Sequence, residues 1–140
     1  MKATLHDRAF GTLTWDEDTE TYSGSVDLRP GQVVQVQIIV RAADSMSPHE
    51  LAAFLSAARG QLLRLRADDA AFRARAAALF EKALRKASRP AVDAGALAAA
   101  LALAGFEADN GGITRLLYAA DALWPRKRVS FYIDGGDRLV

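Results

Sequence analysis

There is no cysteine in this chain of 140 residues. Disulfides, thiol catalysis and cysteine-ligated metals are excluded. Histidine is scarce: His6 and His49 are the only imidazoles, and neither has a second histidine at metal-ligand spacing. Long apolar runs are missing. None approaches the about 18 residues needed to span a bilayer, and the opening MKATLHDRAFG lacks the apolar stretch of a signal peptide. The expectation is a cytoplasmic protein with no membrane attachment. An excess of one charge is also missing, since 18 basic residues face 17 acidic ones, for a net charge of +1.

Chemical motifs are equally sparse. Ser23 and Ser25 lack a nucleophile-elbow sequence. The run Asp16-Glu17-Asp18 lacks the spaced ligands and glycine of a calcium loop. Asn110-Gly111-Gly112 and Asp134-Gly135-Gly136 precede strand patterns rather than helices, so they lack the helix N-terminus of a phosphate cradle. No catalytic residue, metal or cofactor is expected.

What is present is order and pattern. Hydrophobic residues make up 51% of the chain, enough for a core in one domain spanning 1–140. Two β-like stretches, 10–40 and 106–140, bracket a helical middle. Residues 10–15 read as a first strand. Tyr22, Gly24, Val26 and Leu28 alternate with polar neighbours, as a half-buried strand requires. Arg29-Pro30-Gly31 is a turn. A third strand, 33–41, sets Gln35 and Gln37 opposite Val34, Val36 and Ile38.

Ser47-Pro48-His49-Glu50 opens a helix with a capping box and proline in the first turn. The stripe Leu51, Leu55, Ala58, Leu62, Leu65, Phe72, Ala76, Leu79 and Ala83 follows, with Asp69 as its one polar interruption. One bent helix and two helices breaking near 67–69 both fit; the pair Asp68-Asp69 favours two. Ser88-Arg89-Pro90 ends this run. A short helix capped by Asp93 buries Leu97, Ala100, Leu101 and Ala104 and stops at Gly105. Strands over 106–109, 113–120 and 129–133 complete the chain, with Arg138-Leu139-Val140 beginning a last one. The predicted fold is α+β, in the order β-β-β-α-α-α-β-β-β: an antiparallel sheet of the N-terminal meander and C-terminal hairpins, packed on two or three central helices.

Charge is unevenly spread. Residues 1–50 carry eight acids and four bases, while residues 51–89 carry three acids and nine bases. Arg59, Arg66 and Arg73, and again Arg75, Lys82 and Arg89, are seven apart and flank the stripe. Such cations lay their stems over a core and keep their heads in water. Without aromatic interleaving or a nucleic-acid motif, nucleic acid is disfavoured as a partner. Trp15, Tyr22, Tyr118, Trp124 and Tyr132 all lie in the β parts, where Trp and Tyr serve as interface anchors or core plugs. Trp124, followed by Pro125-Arg126-Lys127-Arg128, fits either role.

The chain resembles a family of small uncharacterised bacterial α+β proteins, a domain of unknown function. The resemblance rests on Phe10-Gly11-Thr12-Leu13-Thr14-Trp15 followed by Tyr22-Ser23-Gly24-Ser25-Val26, on the helical block opening at Ser47, and on the stretch from Leu97 through Asn110-Gly111-Gly112 and Tyr118 to Asp121-Ala122-Leu123-Trp124. Pro125-Arg126 stands where the family tends to have Gly-His, and its acidic cluster is reduced to Asp121. The resemblance implies the fold and, by analogy with similar small proteins, an immunity or accessory role in bacterial toxin systems. The functional expectation is a non-enzymatic module that binds a protein partner, as monomer or homodimer, through Trp15, Tyr22, Tyr118, Asp121 and Trp124. The alternative is an enzyme or small-ligand protein with a site between sheet and helices, lined by Tyr118, Asp121 and Trp124.

Overall fold

The computed structural model describes residues 1–86 and 93–133. Its strands are β1 (Thr4–Asp7), β2 (Gly11–Asp16), β3 (Thr21–Arg29), β4 (Gln32–Ile39), β5 (Ala102–Asp109), β6 (Thr114–Ala119) and β7 (Arg128–Ile133). Between β4 and β5 come a 3-10 turn (Ala43–Ser45) and the helices α1 (Pro48–Ala67), α2 (Asp69–Lys86) and α3 (Ala94–Ala100). All seven strands form one sheet, in the order of the chain. The fold is α+β, and strands from both chain ends share the sheet. The expected turn at Asp134-Gly135-Gly136, the strand at Arg138-Leu139-Val140 and the helix stop at Ser88-Arg89-Pro90 lie outside the described residues.

The junction between the two halves is parallel: β4 pairs with β5 in the register Gln35↔Gly105 to Ile39↔Asp109. The remaining neighbours are antiparallel. Three helices separate β4 from β5, and a crossover of that length returns the chain to the end where β4 began. The sheet is therefore mostly, not wholly, antiparallel.

Two boundaries differ from the sequence-based expectation. The N-terminal part has four strands rather than three, because β1 precedes the expected first strand. β1 is short and weakly patterned, and its partners hold it. Leu5 pairs with Leu13, and the Tyr22 hydroxyl donates to the Lys2 carbonyl at 2.8 Å. The Asp7 carboxylate also accepts from the Ala9 and Phe10 N–H groups at 2.8 and 3.0 Å, closing the turn into β2. The second difference is at β5, which starts at Ala102 rather than 106. Gly105 is thus not a helix stop but sits within the strand, beside a bulge between Leu103 and Gly105. The run of leucine and alanine fits both periods; packing of Leu103 under the helices selects the strand.

The register sorts side chains onto two faces. On one face Gly24, Val36, Phe106, Leu116 and Phe131 line up across β3 to β7. Beside them run Tyr22, Ile38, Ala108, Thr114 and Ile133. Apart from the partly exposed Gly24, these positions are buried beneath the helices. Leu55, Ala58, Leu62, Leu65, Phe72, Ala76 and Leu97 are among the buried helix residues above them. Burying each large apolar side chain contributes roughly 1.5–3 kcal/mol.

The helices form as their termini dictate. Ser47 accepts from Glu50 N–H at 3.1 Å, and Glu50 accepts in return from Ser47 N–H at 3.4 Å. α1 and α2 are separate helices, parted at Asp68 (φ −117°). Asp69, the interruption in the apolar stripe, is buried at its stripe position. Arg73 donates to its carboxylate at 2.9 Å and Arg29 lies at 3.5 Å, so the buried charge is answered from its own helix and from β3. Arg73 also donates to the Ala98 carbonyl of α3. Arg59 donates to Asp7 of β1, Arg66 reaches the Asp27 carbonyl, and Arg75 covers the Phe72 ring at 4.3 Å. Arg59 and Arg66 thus tie α1 to the sheet, Arg29 ties the sheet to α2, and Arg73 ties α2 to α3.

Candidate functional site

The five residues singled out from the sequence fall into three places. Tyr22 and Tyr118 are inside. The Tyr22 ring packs on Trp15 at 4.9 Å, and the Tyr118 ring meets Phe131 at 5.8 Å. The Tyr118 hydroxyl is buried with no hydrogen-bond partner. Burial pushes this phenol far above its ordinary range, with the Asp69 carboxylate adding to the effect. Trp15 is half-buried, and its indole N–H donates to Glu17 at 2.6 Å. Asp121 and Trp124 lie on the β6–β7 connection. Asp121 is exposed and 3.4 Å from Arg128; Trp124 is half-buried, edge-on to Phe80 at 5.2 Å. Tyr118 is sealed in the core while Asp121 faces solvent, so Tyr118, Asp121 and Trp124 do not line one cavity.

The other face of the sheet bears no helix among the described residues. Its central row runs Thr14, Ser23, Gln37, Glu107, Arg115 and Tyr132 across β2 to β7. At the ends of β4 and β5 this face dips into a hollow of about 320 Å3, whose lining includes Arg41, Glu107, Asp109, Ile113, Arg115 and Tyr132. Ligand sites in α/β sheets favour the carboxyl ends of parallel strands, and β4 and β5 are the parallel pair here.

The hollow is rigidly built. Asn110 donates to the Arg41 carbonyl at 2.8 Å and accepts from the Arg41 N–H at 3.0 Å, which fastens the end of β4 to the end of β5. The Asp109 carboxylate accepts from Gly111 and Ile113 N–H groups at 2.9 and 3.3 Å, and Gly112 takes the positive φ (91°) that the turn requires. Arg115 donates to Glu107 at 2.5 Å, and this hydrogen bond holds its guanidinium even more firmly protonated than usual. Arg41, mostly exposed, lies 3.7 Å from Asp109. Tyr132 and Ile113 are among the most exposed large apolar side chains, at 47% and 53%.

The sequence partly announced this site. Tyr132 stands between the inward-facing Phe131 and Ile133, so period-2 alternation alone turns it outward. Arg41, Glu107, Asp109, Ile113 and Arg115 carried no signal, because their proximity depends on the parallel β4–β5 register. No protein-family model matches the chain, and no curated protein or solved structure does so either. No set of three or more metal-ligating side chains occurs among the described residues, and none of the described helices is long and apolar enough to cross a membrane.

Proposed function

We propose that this protein is a non-enzymatic binding module for a protein partner, and that the hollow on the open face of the sheet is its contact centre. One observation carries the reading: Tyr132, Ile113, Arg41 and Arg115 surround a single fixed depression. Exposed tyrosine and arginine beside apolar surface are the side chains that dominate binding energy at protein interfaces. Their backbone is already held by Asn110 and Asp109, so little order is lost on binding. The motif resemblance supports placing the module among immunity or accessory proteins of bacterial toxin systems.

The test is site-specific photo-crosslinking. A benzophenone side chain at Tyr132 is expected to give discrete crosslinked species in cells producing the protein at its native level. The same group at Ala71, exposed on α2, should give none. Identical patterns at the two positions, or none at Tyr132, would overturn the proposal. A small-ligand site is the second reading, favoured by the hollow's position at the ends of parallel strands. It predicts a thermal shift with a small zwitterion that is lost in Arg115→Ala.

A further inference from the structure

Among the described residues β1 is an edge of the sheet, with β2 as its one neighbour. The Ala3 carbonyl accepts from the Trp15 N–H at 2.9 Å. In an antiparallel ladder such hydrogen-bonded pairs recur at every second residue, so Leu5 and Asp7 also bond to β2. Thr4 and His6 therefore turn their N–H and C=O groups away from the sheet. No bulge interrupts the strand, and neither residue's backbone meets a described partner on that side.

Helix α1 runs beside this edge. Arg59 grips Asp7 at one end, and Pro48 shares a cleft with Lys2 at the other. The two spans agree: from Pro48 to Arg59 the helix rises about 16 Å, and from Lys2 to Asp7 the strand rises about 17 Å. The cleft between them has a volume of about 360 Å3, and its lining includes Leu5, Met46, Pro48, Leu51, Ala52 and Leu55. Pro48 and Ala52 are exposed at its mouth, and the buried Tyr22 closes its inner side. The polar atoms of its inner wall are occupied. The Tyr22 hydroxyl donates to the Lys2 carbonyl, and the Ser47 hydroxyl accepts from the Glu50 N–H. A small ligand needs fixed polar groups inside its pocket. The free donors and acceptors here belong to the adjoining strand edge, and they match a peptide backbone.

We propose that this edge and cleft take an extended segment of a partner protein as an added strand beside β1. Side chains alternate across a strand. Those on the helix side enter the cleft beside Leu5, and the others lie near Thr4 and His6. The first set must be apolar, because the cleft is. Charge selects the second set. Lys2 and Arg8 flank the strand, exposed and without an ion pair among the described residues, while the one acid of β1, Asp7, is taken by Arg59. The segment therefore alternates apolar and acidic residues. A second copy of β1 is a poor occupant: the antiparallel register centred on Leu5 sets Lys2 opposite Arg8, and like charges repel there. The site goes beyond the hollow, lying at the edge of the covered face, and its test leaves Tyr132 untouched.

The probe is a fluorescent ten-residue peptide of alternating Val and Glu, followed by anisotropy. Micromolar binding is expected. N-methylation of every second residue removes the N–H groups along one edge of the peptide. In one phase it should weaken binding at least tenfold and in the other less than threefold, because only one edge faces β1. His6→Pro deletes an outward N–H and spares the β1–β2 ladder. Ala52→Trp fills the cleft from an exposed position. Each should weaken binding at least tenfold with the melting temperature unchanged. Absence of micromolar binding, equal effects of the two N-methylation phases, or full affinity in Ala52→Trp would overturn the proposal. Equal binding of a peptide with the same residues in two blocks would also overturn it. A dimer in sedimentation that His6→Pro dissociates would assign the edge to a second copy instead.

Discussion

Along β4, Val34, Val36 and Ile38 are sealed under the helices, while Gln35 and Gln37, one residue away, stand in solvent. The same contrast runs across the sheet. The covered face is apolar and closely packed, down to the glycine opposite Val36. The open face is a field of hydroxyls and amides that ends in the charged hollow at β5 to β7. One face carries the stability of the fold. The other is free to vary in chemistry, and that freedom is what a recognition surface requires. The difference teaches where mutations should register: loss of stability from one side, loss of binding from the other.

The sharpest test compares Phe106→Ala with Gln37→Ala. Phe106 is fully buried and packs on Phe10 at 5.8 Å; its truncation should cost about 3–5 kcal/mol in urea unfolding. Gln37→Ala on the open face should stay within about 0.5 kcal/mol. Comparable costs would mean that the open face is not free.

Asp7 gives the next effect. Burial alone would raise its pKa, but the hydrogen bond from Arg59 and those from the Phe10 and Ala9 N–H groups outweigh it, so the carboxyl is held below its ordinary value of 3.8. A folded-state pKa below the unfolded one stabilises the protein above that ordinary value. The contribution is lost as pH falls through the folded pKa. Asp7→Asn should cost roughly 3 kcal/mol near neutral pH, because it strands Arg59 without its counter-charge. It should also flatten the acid limb of stability against pH. An unchanged acid limb would show that Asp7 does not fasten α1 to β1.

Two glycines sharpen the comparison further. A Cβ at Gly24, on the covered face, would lie 2.6 Å from the Thr12 carbonyl oxygen and 2.9 Å from Leu13. Backbone must then move, and Gly24→Ala should cost about 2 kcal/mol. A Cβ at Gly105, on the open face, would meet the end of the Leu117 side chain at 2.7 Å. The Leu117 Cδ1 can rotate away, while its Cβ, at 3.1 Å, must give by a few tenths of an ångström, and Gly105→Ala should cost about 1 kcal/mol. The reverse order in thermal unfolding would contradict the assignment of faces.

The smallest effects concern the two buried tyrosines. Tyr22→Phe removes a hydrogen bond to the Lys2 carbonyl and should cost about 1 kcal/mol. Tyr118→Phe removes a hydroxyl that has no partner, so it should be neutral or slightly stabilising. A clear loss in Tyr118→Phe would reveal a partner for that hydroxyl, such as an ordered water.

Much of the fold was legible because its signals are local. The alternation of β3, β4 and β7, the capping box at Ser47 and the break at Asp68 each lie within a few residues. β1 escaped because four residues without strong alternation give no period, and the contacts that hold it come from Leu13 and Tyr22. The start of β5 escaped because alanine and leucine satisfy both helical and strand spacing. Among candidate site residues, Trp124 was flagged by its basic neighbours. Tyr22 and Tyr118 were flagged only as aromatics, and the packing placed both in the core.

By itself the sequence determined the α+β class, the helical middle and which side of each clear strand is apolar, because periodicity and end-capping act between near neighbours. Tertiary structure alone decided that β5 lies parallel to β4, that Arg59 meets Asp7, and that Arg41, Glu107, Asp109, Arg115 and Tyr132 share one hollow. Those residues come from three strands and the segment after β4, and the register that gathers them is set by a crossover of three helices. No local pattern encodes such a register; it follows from burying the helical stripe and the apolar face of the sheet against each other.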